Sequence, residues 1–148
     1  METLIKFNPF LVEIEFVGQE INYVDDGSEF IQTINDVGSN PHGRLVLIPI
    51  PIQETIPVIN LIRSAREEKT NLGLYHALSI LNSNSIPEEL RDYKILFPGT
   101  LRTASGNAFI PTLFFSHDIN SRWRRSCHWL KDYFITKDYI LLKYKIFL

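Results

Sequence analysis

The stretch R44-L-V-L-I-P-I-P-I52 decides how the rest of the chain is read. From Leu45 to Ile52 the odd and even positions are both apolar, so neither face of an extended segment is left for water. Such a run, entered from the turn sequence SNPHG, reads as a strand covered on both faces. Pro49 and Pro51 lack the backbone N–H and so limit ladder hydrogen bonds at its end. This strand is expected near the middle of a sheet, with the other elements arranged about it.

On its N-terminal side, Phe10 to Val17 alternates Val12, Ile14 and Phe16 with Glu13 and Glu15, the period of a half-buried strand. A short second strand is expected over Ile21 to Val24. The cluster Asp25, Asp26, Gly27, Ser28 breaks the chain, and Phe30, Ile31, Ile34 and Val37 then recur at helical spacing before Gly38. Asp25, Asp26 and Glu29 also offer oxygens for a hard cation, although solvated loop acids explain them more simply.

On its C-terminal side two helical patterns follow, Val58, Leu61, Ile62, Ala65 and then Leu74, Ala77, Leu78, Leu81, with Thr70 placed to cap the second. Pro87, Glu88 and Glu89 suit the first turn of a further short helix. From Lys94 onward the pattern turns to strands. KILF comes first, then Thr100 to Ala104 and Ala108 to Phe115 as a hairpin about Ser105, Gly106 and Asn107, and last Tyr139 to Leu148. In that last strand Lys143 and Lys145 face away from the Ile140, Leu142, Tyr144 row. The fold class expected is therefore α+β: one domain over residues 1–148, a mixed β-sheet with helices from the central third covering one face, and an antiparallel C-terminal part.

Composition narrows the function classes. With 45% apolar and 22% charged residues, ten Phe, six Tyr and two Trp, the chain has the balance of a folded protein. No run approaches the ~18 apolar residues of a spanning helix, and METLIKFNPF lacks a signal-peptide pattern. One cysteine permits no internal disulfide and no cysteine-based zinc framework. A cytoplasmic address without membrane contact is the expectation. The net charge of −2 conceals a division: residues 1–100 hold seven Lys/Arg against fourteen Asp/Glu, and residues 101–148 hold eight against three. A basic C-terminal third of this kind suits an anionic partner, or the acidic part of a second copy of the chain.

The basic third is densest in SRWRRSCHWLKDYF, Ser121 to Phe134. Read as a helix, it puts Trp123, Cys127, Leu130 and Phe134 on one apolar stripe, whereas an extended reading mixes Trp123 with Arg125 and Lys131 on one face. The helical reading starts at Asn120 or Ser121, directly after LFFSHD. It crowds Arg122, Arg124 and Arg125 into a first turn, where the macrodipole disfavours cations by about 0.3–1 kcal/mol each. Arginines beside free N–H groups are also what an anion site needs. Cys127 and His128, as neighbours on a helix, point about 100° apart and do not activate each other, so Cys127 reads as a small buried hydrophobe.

Two nuclease layouts bear comparison. His117, Asp118, Asn120 and His128 loosely resemble the His-Asn-His arrangement of ββα-metal nucleases, which implies a base from a strand and a metal ligand from the next helix. The interval between His117 and Asn120 is much too short for that pattern, and an Asx turn accounts for HDIN. Asp92-Tyr93-Lys94 and Glu67-Glu68-Lys69 have the acid-x-Lys spacing of the PD-(D/E)xK enzymes, but both triplets end helical patterns. Ser105, Gly106 and Asn107 suit a small anion nest or, more simply, a hairpin turn. No P-loop, dinucleotide fingerprint, nucleophile elbow or H-E-x-x-H motif occurs.

The sequence thus points first to a small intracellular binding or inhibitor-type module. Its contacts with a protein or nucleic acid would come from Arg122, Arg124, Arg125, Lys131, Trp129 and Arg102, extended by Lys143 and Lys145. The alternative is a metal-dependent nuclease or phosphodiesterase using His117, Asp118 and His128. No cofactor is implied, and self-association is a further expectation.

Overall fold

The structure is a computed structural model that describes residues 14–17, 29–33, 44–83, 86–104 and 106–146. The expected strand at Ile21 to Val24 and the acids Asp25 and Asp26 lie outside them. The first three strands are β1 (Ile14–Val17), β2 (Glu29–Thr33) and β3 (Arg44–Pro51). A two-residue β4 (Ile56–Pro57) leads into α1 (Val58–Ser64), and α2 (Leu74–Ser83) follows. After a 3-10 turn at Glu88–Leu90 come β5 (Lys94–Leu96), β6 (Thr100–Ala104), β7 (Asn107–Ser116), β8 (Arg122–Trp129), β9 (Phe134–Ile135) and β10 (Tyr139–Ile146). The class is α+β, as expected: a mixed sheet with two helices among the described residues.

The sheet runs β1-β3-β10-β5-β7-β6-β2, with β8 added on β7. β3 is doubly covered, Leu47 being fully buried and Ile48 nearly so, yet it lies between β10 and the outer β1 rather than at the centre. Apolarity on both faces reports what lies above and below a strand and says nothing of how many strands flank it. β1 pairs β3 only as far as Leu47, ahead of the prolines, while β10 follows it to Pro51. The middle is held by β10, antiparallel to β3 and parallel to β5. The antiparallel C-terminal part therefore holds for β6, β7 and β8, and the last strand departs from it.

β7 is the branch point. β8 pairs it from Phe109 to Ser116 on one side, so β6, opposite Asn107 to Phe109, and β5, opposite Thr112 and Leu113, share its other side end to end. The step between β5 and β6 is Pro98-Gly99. A Cβ on Gly99 would stand 2.2 Å from the Asn71 carbonyl oxygen, so only glycine allows the segment before α2 to cross here. The β6–β7 hairpin turns at Gly106, whose φ of 79° is left-handed.

Contrary to expectation, the helices cover opposite faces. Ala77 and Ile80 of α2 pack with Ile95, Leu113, Phe115, Ile140 and Leu142; Val58, Leu61 and Ile62 of α1 pack with Leu96, Ile110 and Leu141. Neighbours such as Ile95 and Leu96 point to opposite sides of a strand, so the two clusters are the two faces. Thr70 does not cap α2. Its N–H and hydroxyl both return to the Ala65 carbonyl and close the end of α1, after Lys69 has taken a left-handed φ of 60°. The start of α2 is satisfied instead by the Thr100 hydroxyl, which accepts from the Leu74 N–H at 2.9 Å, and by His76 Nδ1, which accepts from the Gly73 N–H. The expected helix at Phe30 to Val37 is a strand where it is described, β2, antiparallel to β6.

Candidate binding site on the edge strand

The segment read as a helix is β8, an eight-residue strand laid along β7 from Ser116↔Arg122 to Phe109↔Trp129. Period two then replaces the helical stripe. Trp123, Arg125, Cys127 and Trp129 share the α2 face, and Arg122, Arg124, Ser126 and His128 share the other. The conflict between three arginines and a helix N-terminus vanishes, because there is no helix. Trp123 anchors one end, 8% exposed and edge-on to Phe115 at 5.7 Å. Trp129 anchors the other, half-buried and edge-on to Phe109 at 5.0 Å, with Lys131 Nζ 5.6 Å from its ring.

On the far face His128 is buried at the opposite end from Arg122. Its Nε2 lies 2.6 Å from the Asp132 carbonyl oxygen and its Nδ1 3.3 Å from the Tyr139 hydroxyl. It holds the turn after β8 against β10. His117 stands exposed just beyond the other end of β7, 4.0 Å from Asp92 Oδ1 and edge-on to Phe115. Because His128 pairs with Ile110, and Ser116, the residue before His117, pairs with Arg122, about seven residues or ~23 Å separate the two histidines along the sheet. The structure does not bring them to one centre, and no group of three His, Cys, Asp or Glu among the described residues is placed to hold a metal.

Asp118 organises the β7–β8 connection. Its Oδ1 accepts from the Asn120 N–H at 2.9 Å, the expected Asx turn, and its carbonyl accepts from the Ser121 N–H and hydroxyl. Its Oδ2 accepts from Arg124 Nη2 at 2.8 Å. A Ser116 side-chain hydrogen bond, then the Asn120 amide and Arg124, hold its carboxyl below the usual 3.8 against the opposing effect of desolvation. Asp92 and Lys94 also part company: Asp92 faces His117, while Lys94 Nζ lies 3.6 Å from Asp138 Oδ2 and 5.2 Å from the Tyr139 ring. Glu67, Glu68 and Lys69 are exposed past the end of α1.

Two hollows flank β8. An open groove of about 540 Å³ is lined by Arg122, Trp123, Arg124 and Arg125 with Leu81 of α2. All three arginines singled out in the sequence thus meet on one concave surface, joined by a leucine that no motif marked. Beneath the α2 face lies a second hollow of about 280 Å³, with Leu74 and Ala77 on the helix side and Phe109, Pro111 and Leu113 on the sheet side. Arg102 is part of the wall of this second hollow and is 2% exposed, and it does not line the outer groove. Lys143 is half-buried on β10, and the side chain of Lys145 lies outside what the structure describes. No helix among the described residues is long and apolar enough to cross a membrane.

By fold the chain is α+β, with a branched mixed sheet and, among the described residues, a basic strand at its edge. No protein-family model matches it, and neither does any curated protein or solved structure.

Proposed function

We propose that the chain is a binding module whose edge strand β8 receives an acidic, extended segment of a partner protein. The observation that carries this is the groove lined by Arg122, Trp123, Arg124, Arg125 and Leu81, which runs along a strand paired only with β7 among the described residues. An edge strand offers backbone donors and acceptors for one more strand, and forked guanidinium groups on both of its faces favour carboxylates on the incoming segment. Arg122 and Arg125 are the exposed arginines of β8 and Arg124 is half-buried, so the two exposed guanidinium groups carry the recognition. Trp123 supplies a rigid apolar floor.

The test uses a fluorescein-labelled peptide of alternating Glu and Val, eight residues long to match β8. Anisotropy should show saturable binding that weakens at least tenfold between about 50 and 300 mM salt and again in R122E/R125E. Absence of binding, or equal binding by the double variant, overturns the reading. Tighter binding of an oligothymidylate, with a steeper salt dependence, would make nucleic acid the partner and defeat the protein reading.

A further inference from the structure

We propose that the cavity between α2 and the β6, β7, β8 surface is a second binding site, for a small organic carboxylate with a short apolar tail. The hollow opens to solvent beside the exposed Arg125 and Ser126 and has room for about nine water molecules at ~30 Å³ each. It is therefore a cavity with a size class, suited to a compact ligand. Its walls are mostly hydrocarbon, from Leu74, Ala77, Phe109 and Leu113. The two charged groups that line it are both arginines, Arg102 at 2% exposure and the exposed Arg125, and none of its ten lining residues is acidic.

That combination selects the ligand. A guanidinium in a largely apolar hollow acts through a lower dielectric than one at the surface, so the two arginines set a positive field inside whatever their other contacts. A free phosphate would surrender its hydration to walls with few polar groups. A carboxylate with a tail of five or six carbons places one charge near the arginines and its hydrocarbon against Leu74, Phe109 and Leu113. The position of Arg125 gains a reason here: it interrupts the apolar row of Trp123, Cys127 and Trp129 at the point where that face meets the cavity instead of packed core.

Cys127 also lines the cavity and is the chain's single cysteine, so its alkylation reports occupancy. Hexanoate should slow the reaction of Cys127 with iodoacetamide in a saturable way, with half-effect near 1 mM by order of magnitude, and should raise the melting temperature. Hexan-1-ol and inorganic phosphate at equal concentration should do neither. Arg125→Gln should weaken protection about tenfold, and Ala77→Leu, which fills the cavity from the helix side, should abolish it. Because Ala77 does not line the outer groove, the same variant should still bind the Glu-Val peptide, so the two sites can fail separately. No protection by hexanoate, equal protection by hexanol, or full protection in a folded Ala77→Leu protein overturns the proposal. Circular dichroism of each variant keeps loss of fold apart from loss of binding.

Discussion

β7 and β8 lie rung against rung over eight pairs, yet one was legible in the sequence and the other was not. AFIPTLFF is apolar apart from Thr112 because β7 is interior, with β8 on one side, β5 and β6 on the other, and buried residues on both faces. RWRRSCHW borders a groove along one edge, a cavity under one face and solvent beyond, so its residues answer to several environments at once. The rung Leu113↔Arg125 states the difference: one member is fully buried and the other exposed, on the same face of the same sheet. Arginine stems also cover apolar surface while their heads stay wet, which blurs the alternation a strand should show.

Substitutions along this pair of strands test the contrast. The largest effect is expected from Trp123→Ala, about 3–5 kcal/mol by urea denaturation, since Trp123 joins β8 to the core shared with Phe115 and α2. A loss below about 1 kcal/mol would mean that β8 is held by its ladder alone. Leu113→Ala should cost about 2–5 kcal/mol, the usual range for a buried leucine, whereas Arg125→Ala on the same rung should stay within about 0.5 kcal/mol. Comparable losses from the two would erase the distinction between the buried and the exposed member of the rung. His128→Ala should fall between, at about 1–3 kcal/mol, because the Asp132 carbonyl and Tyr139 hydroxyl lose a buried partner; amide exchange should then quicken in the turn after β8.

The smallest effect concerns pH at the β7–β8 turn. The folded-state carboxyl of Asp118 titrates below its ordinary 3.8, so its contribution to stability is complete above that value and lost as pH falls through the lower, folded one. Asp118→Asn should flatten the profile below about pH 4, costing a little stability at neutral pH, where the carboxylate's contribution is complete, and almost none once the acid would be protonated. A carboxyl resonance of Asp118 titrating at or above 3.8 would contradict the hydrogen bonds assigned to it.

Helical spacing arises by chance in strands of this chain. Trp123, Cys127 and Leu130 fall at helical spacing by coincidence, and the macrodipole conflict at Arg122, Arg124 and Arg125 was itself a mark against a helix. Phe30 and Ile31 were drawn into a helical pattern in the same way, although β2 needs only a place beside β6. Thr70 stood at plausible capping distance from Leu74, but Thr100, twenty-six residues away, has the hydroxyl in reach. The convergence of the three arginines on one groove was a question the sequence raised and only geometry answered.

By itself the sequence determined the α+β class, the doubly covered β3, both helices and the β6–β7 hairpin. Each depends on local periodicity or turn chemistry, which a short window contains. The tertiary structure decided that β10 enters between β3 and β5, that α1 and α2 take opposite faces, and that β8 is extended. It also decided that Arg102 and Arg125 line one cavity. These depend on pairing between segments far apart in the chain, where hydrogen bonds and buried area outweigh intrinsic preferences worth only ~1 kcal/mol per residue.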